Sequence, residues 1–213
     1  ESGYSQLYVK PLNKKHKALT QGNYVVSSLT VSDDEQHIYY KANKKHPGIY
    51  EIYRVDVNSG ESQALTDLGG MNDYSLSPDE TKLLVQHSKV TMPPELYVQS
   101  IEQPTKVKRI TNTVSDKFLN LPWTAPSIVA VPSSHTEAPI YSKVYLPKDF
   151  SSNPEKRRAV MFSHGAGYLQ NSHLGWSGYF REFMFHSMLA QKGYVVMDMD
   201  YRASKGYGRD WRT

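Results

Sequence analysis

The sequence has 213 residues, of which 38 % are hydrophobic and 22 % charged, with 13 Gly and 12 Pro. That balance excludes collagen-like, low-complexity and disordered chains, and a chain of this length spans one large domain or parts of two. The net charge of +4 is weak, and Lys14-Lys15-His16, Lys44-Lys45-His46 and Lys156-Arg157-Arg158 lie too far apart for a nucleic-acid surface, so they read as solvated turns.

The first half repeats. Leu7-Tyr8-Val9, Ile52-Tyr53-Arg54 and Leu96-Tyr97-Val98 follow one another at 45 and 44 residues, and Leu19-Thr20, Leu65-Thr66 and Ile110-Thr111 at 46 and 45. Ser32-Asp33-Asp34 and Ser77-Pro78-Asp79 form a matching turn, again 45 apart. Ile38-Tyr39-Tyr40, Tyr50 to Val57 and Lys82 to Val85 are rich in aromatic and branched residues, which predicts strands. In the second, Tyr50, Ile52, Arg54 and Asp56 share one face. Asn58-Ser59-Gly60-Glu61 supplies a tight connection and Ser77-Pro78-Asp79-Glu80 a turn. About 45 residues per four-strand unit is the period of a β-propeller blade. The expectation is a partial propeller of about three blades, with the remaining blades upstream of Glu1.

From Leu121 the pattern changes. Ile128 to Val131 and Ile140 to Leu146 read as a hairpin, 151–158 as a polar loop, and Ala159-Val160-Met161-Phe162 as a strand buried on both faces. Ser163 to Tyr168 forms a turn. Phe180, Phe183, Met184, Ser187 and Met188 then mark one face of a helix that Lys192 and Gly193 bring to an end. Tyr194 to Asp200 is a second buried strand, so strand, helix and strand make a right-handed βαβ unit. Trp176, Phe180, Phe183 and Phe185 read as core and inter-domain packing, and His186 as packed or solvated between core positions.

Three stretches carry a family resemblance: Trp123-Thr124-Ala125-Pro126 leading into the hairpin that ends at Tyr145-Leu146-Pro147, His164-Gly165-Ala166-Gly167 after a strand, and Asp200-Tyr201-Arg202-Ala203-Ser204-Lys205-Gly206-Tyr207-Gly208. With the repeat before them, they resemble the prolyl oligopeptidase family of serine peptidases, including its dipeptidyl-peptidase-like and acylaminoacyl-peptidase-like members. Ala203 stands where the family's D-x-R-G-S-x-G-Y-G run has Gly. The resemblance implies C-terminal propeller blades over 1–120 and the beginning of an α/β-hydrolase domain over 121–213. It also implies acyl transfer to a serine, followed by hydrolysis of the acyl-enzyme. The nucleophile is expected in a G-x-S-x-G elbow ahead of its Asp and His. No such elbow occurs here: Ser163, Ser177 and Ser204 lack the flanking glycines. None of the catalytic triad is therefore expected in this chain, which would be a piece of a longer polypeptide and inactive alone.

What remains is the oxyanion side. By resemblance to acylaminoacyl-peptidase-like members, the Gly165 N–H is the preferred donor, with His164 shaping the turn; a Tyr168 hydroxyl is the alternative. Asp200 and Arg202 are expected to fix the loop through an ion pair, with Asp198 as the other carboxylate in reach; contact of Arg202 with substrate is the less favoured reading. His164, His173 and His186 lack metal-ligand spacing, and no Cys is present, which removes thiolate sites and a Cys nucleophile. No cofactor is implied. The expected partners are a peptide substrate and the rest of the polypeptide, with a homo-oligomer left open. No nucleic acid and no membrane span in this segment are expected, since no stretch reaches the ~20 apolar residues of a span. The first twenty residues also lack the apolar stretch of a signal peptide, and localisation leans towards an exported bacterial protein. Rival readings are a non-catalytic propeller binding module and an esterase or amidase on the same scaffold.

Overall fold

A computed structural model describes residues 2–152, 157–165 and 167–212; Lys156 of the third basic cluster and Ala166 of the His-Gly turn lie outside the described residues. The repeat becomes two four-stranded antiparallel sheets and a hairpin. The hairpin is β1 (Tyr8–Val9) with β2 (Lys17–Ala18). The first sheet runs through β3 (Val26–Val31), β4 (His37–His46), β5 (Ile49–Asp56) and β6 (Ser62–Ala64). The second runs through β7 (Met71–Leu76), β8 (Lys82–Lys89), β9 (Met92–Ser100) and β10 (Val107–Arg109). The pairs Tyr8↔Ala18, Tyr53↔Ala64 and Tyr97↔Arg109 are equivalent. The hairpin is thus the outer half of a blade, and the two sheets are whole blades of an open propeller.

Each blade is closed by the same bonds. Thr20, Thr66 and Thr111 accept through Oγ1 from the amides of Leu7, Ile52 and Leu96 at 2.8, 2.9 and 2.8 Å. The amides of Leu19, Leu65 and Ile110 return to the carbonyls of Leu7, Ile52 and Leu96 at 2.9, 2.8 and 2.9 Å. In the two whole blades the threonine hydroxyl donates to a buried carboxylate, Thr66 to Glu51 and Thr111 to Glu95. Burial pushes the Glu51 carboxyl up, against the Thr66 hydroxyl and the Gly69 amide. Glu95 is pulled down to about 2, first by the Thr111 hydroxyl and further by the Thr113 amide and the Arg109 guanidinium. Gln6, the equivalent residue of the hairpin, instead donates to the carbonyls of Gly22 and Tyr24. The turns repeat as well. The Ser32 and Ser77 hydroxyls each donate at 2.6 Å to the carboxylate two residues on, Asp34 and Asp79.

The strand β5 is not the half-exposed ribbon its alternation predicts. Tyr50, Glu51, Ile52, Tyr53 and Val55 are all buried, because this blade is covered on both faces. Tyr40, Ala42, Tyr53 and Val55 pack towards Leu7 and Leu19 of the hairpin, while Tyr39, Ile52 and Leu65 meet Leu83, Val85 and Ile101 of the next blade. Full burial of one such aliphatic side chain contributes roughly 1.5–3 kcal/mol. Lys44 is not in a solvated turn either. It lies in β4, its ammonium 4.2 Å from the Tyr53 ring centre and 2.6 Å from the Tyr40 hydroxyl.

A short helix that the sequence reading did not predict, α1 (Asp116–Leu119), marks the change near residue 120; Ser115 caps it, its Oγ accepting from the Phe118 amide at 3.3 Å. Beyond it a four-stranded sheet has the order β11 (Ser127–Val131), β12 (Ile140–Tyr145), β14 (Val195–Met199), β13 (Ala159–Ser163). β13 and β14 are parallel and joined through α2 (Phe180–Gln191). Two expectations shift here. β13 alternates in exposure, with Met161 68 % exposed, and pairs with β14 alone among the described residues. The helix buries Phe183, His186, Ser187 and Ala190, rotated from the expected face, so Phe180, Phe185 and Met188 stay largely exposed. Trp176 and Phe183 do join Trp123, Tyr145 and Val196 in one core. Gly193, at φ +88°, ends the helix as expected.

The α/β layer sits directly on the blades. The Gln170 side chain donates to the Pro47 carbonyl at 2.8 Å and accepts from the Tyr50 hydroxyl at 2.6 Å, and the Leu174 amide reaches the Gly48 carbonyl at 2.8 Å. A side chain at Gly48 would put its first carbon 2.8 Å from the Ser172 carbonyl, so only glycine allows this approach.

Thr66→Val removes an acceptor from the Ile52 amide and a donor from a buried carboxylate. It is expected to lower unfolding stability by about 1–3 kcal/mol in urea titration. Thr20→Val, facing the neutral Gln6, is expected to cost less; equal losses would contradict the role given to Glu51.

Candidate active site

The carbonyl ends of β13 and β14 meet at one buried carboxylate. Asp200 directly follows β14 and is fully buried. Its Oδ1 accepts from the Asn171 amide at 2.7 Å and pairs with His164 Nε2 at 3.1 Å, while Oδ2 accepts from the Tyr207 hydroxyl at 2.6 Å. Burial, followed by the Asp200 charge, pushes the Tyr207 phenol far above its ordinary range, so it serves as a donor. His164 is the first residue after β13. Its Nδ1 lies 2.8 Å from the Gly165 carbonyl, and the Tyr201 hydroxyl donates to the His164 carbonyl at 3.1 Å.

The sequence-predicted residues therefore separate. His164, Gly165 and Asp200 come together. The Gly165 N–H has no acceptor among the described residues, the residue is exposed, and an added methyl group would meet nothing within 4 Å. Tyr168 is 83 % exposed, with the Arg212 guanidinium 5.8 Å from its ring centre. Arg202 is exposed, and His164 Nε2 lies 3.1 Å from Asp200 Oδ1. Serine, histidine and aspartate do meet here, since Ser204 Oγ lies 3.4 Å from His164 Nε2. They are not a nucleophilic triad: Ser204 and Asp200 address the same ring nitrogen, and Ser204 is fully buried.

Beneath this site lies a charged layer that sequence reading missed. Lys143 on β12 is the register partner of Asp198 on β14, and both are buried. Burial lowers the Lys143 ammonium to about 8, partly offset by Asp198 and Asp200. Burial also raises Asp198, against Lys143 and an Asn171 Nδ2 donor at 2.6 Å. His173 is driven to about 3 and His186 to about 4, in both cases chiefly by burial. A lysine within the run Ile140 to Leu146 was the available signal; its alternation could not say which face was covered.

Comparisons with known proteins find the following similarities. The N-terminal region model of dipeptidyl peptidase IV matches residues 1–94. The "Uncharacterized peptidase YuxL" of Bacillus subtilis is 29 % identical over 145 residues, covering 66 % of this chain and 20 % of its own length. The acylamino-acid-releasing enzyme of Sus scrofa is 24 % identical over 193 residues, 84 % of this chain and 24 % of that protein. These likenesses support the resemblance to prolyl oligopeptidase-family peptidases. The crystal structure of Porphyromonas gingivalis dipeptidyl peptidase 4 superposes with a TM-score of 0.82 at 20 % identity, over 99 % of this chain and 29 % of that one. The chain thus shares the fold of that structure, and it spans about a fifth to a quarter of the curated relatives it matches.

The buried histidines set a pH response. Their ordinary value is 6.5, so between pH 6.5 and about 4 the unfolded chain takes up protons that folded His186 refuses, and stability falls as pH falls. His186→Gln should flatten urea-derived stability over that window by up to about 1.4 kcal/mol per pH unit, the slope of one proton. Parallel curves for parent and variant would contradict the buried neutral ring.

Proposed function

We propose that this chain forms the last blades of a propeller, over 1–120, and the opening of an α/β-hydrolase domain, over 121–213, of a serine peptidase acting on short peptides. The observation that carries this reading is the exposed, unengaged Gly165 N–H at the end of β13, on a turn held by the buried Asp200. Attack on a peptide carbonyl places negative charge on its oxygen, and a fixed N–H aimed at that oxygen stabilises the tetrahedral intermediate more than the ground state. His164 keeps the turn in place through its bond to Asp200 and is not the base. The nucleophile belongs to a G-x-S-x-G elbow of the longer polypeptide, followed by its aspartate and then its histidine. The relatives' names support peptide hydrolysis, and the missing elbow supports an inactive segment.

The test has two arms. The 213-residue chain should leave dipeptidyl and N-acyl-peptide anilides intact, whereas a longer polypeptide carrying it should hydrolyse them and take up a fluorophosphonate on one serine. In that longer protein Gly165→Pro, which deletes the N–H, should lower kcat by about 10²–10³-fold. Turnover by the short chain, or an unchanged kcat in the proline variant, would overturn the proposal.

A further inference from the structure

The blade that carries Glu51 reaches both loops around Asp200 through two buried side chains, Tyr50 and Asn43. Tyr50 lies in β5, and its hydroxyl donates to Gln170 Oε1 at 2.6 Å. Gln170 Nε2 donates to the Pro47 carbonyl at 2.8 Å, so two bonds to one blade fix this side chain. The next residue, Asn171, gives its backbone N–H to Asp200 Oδ1, the oxygen that also lies 3.1 Å from His164 Nε2. Asn43, in β4, holds the other loop. Its Nδ2 donates to the Gly206 carbonyl at 3.0 Å and the Pro47 carbonyl at 3.1 Å, while its Oδ1 accepts from the Val25 amide at 2.7 Å. Gly206 precedes Tyr207, the donor to Asp200 Oδ2. The two loops are also joined to each other, the Lys205 amide donating to the Leu169 carbonyl at 2.9 Å.

Apolar packing would hold blade and loops together without fixing a direction. Hydrogen bonds in a buried or half-buried place do fix one, since a displaced partner leaves a polar group uncompensated. We infer that Tyr50 and Asn43 are positioning residues of the peptidase reaction, setting from the blade, through the two loops on Asp200, where the Gly165 N–H stands relative to the substrate carbonyl. Neither is a catalytic residue, since each acts through the loops. A donor displaced by ~1 Å loses much of its hold on the developing oxyanion. The inference rests on the proposed hydrolysis, with Gly165 as donor, and it goes further in giving the blades a part in the chemical step.

Tyr50→Phe keeps the ring and removes the hydroxyl. In the longer polypeptide, with a peptide anilide as substrate, it should lower kcat about tenfold and leave KM within about twofold. In a Gly165→Pro background the same substitution should lower kcat by less than about twofold, because the N–H that it positions is gone. A substitution that only loosened the interface would cost the same factor in both backgrounds. Asn43→Asp, nearly isosteric but without the Nδ2 donor, should give the same pattern. Amide exchange around Asn171 and Lys205, followed in parallel, should quicken in both variants while that of β9 stays as in the parent. Unchanged kcat, a loss carried by KM alone, equal losses in both backgrounds, or unchanged exchange would overturn the inference. Any of these in a polypeptide that hydrolyses the anilide leaves the peptidase reading standing. A longer polypeptide without hydrolysis sinks that reading instead, and the exchange then decides by itself whether the blade holds the loops.

Discussion

The buried charge of Asp200 ties the α/β layer together. A carboxylate withdrawn from water is costly unless its oxygens are filled by donors, and two loops fill them: the one from β13 to α2 through His164 and Asn171, and the one after β14 through Tyr207. Satisfying one carboxylate therefore fixes both loops at once. The turn that carries Gly165 is held by that arrangement.

The blades use the same device in repeating form. Glu51 and Glu95 are buried, and the threonine fifteen or sixteen residues on closes each blade against the carboxylate. Their environments differ in charge: Glu95 faces the Arg109 guanidinium at 2.9 Å, and Glu51 has neutral donors. Burial raises the Glu51 carboxyl, whereas the Thr111 hydroxyl, followed by the Thr113 amide and the Arg109 guanidinium, brings Glu95 down to about 2. The blade with Glu51 also carries the contacts to the α/β layer, through Pro47, Gly48 and Tyr50, so the rigidity of the repeat is passed to the loops above it.

The parts of this fold that were legible in the sequence are those set by local chemistry. The 45-residue spacing, the Ser-x-Asp turns, the hairpin ending at Tyr145 and the helix stop at Gly193 depend on residues close in the chain. What escaped depended on what covers a face. Ile52 of β5 meets Leu83 and Val85 of the next blade, and nothing within Tyr50 to Val57 announces that contact. Asp200 is likewise reached by His164 from 36 residues upstream, a contact its neighbours in the chain do not signal.

Amide hydrogen exchange on Asp200→Ala tests most directly whether one carboxylate organises the two loops. Residues 164–171 and 201–211 should lose protection together, while β8 and β9 of the last blade keep theirs. Loosening confined to 201–211, with 164–171 as protected as in the parent, would contradict the account.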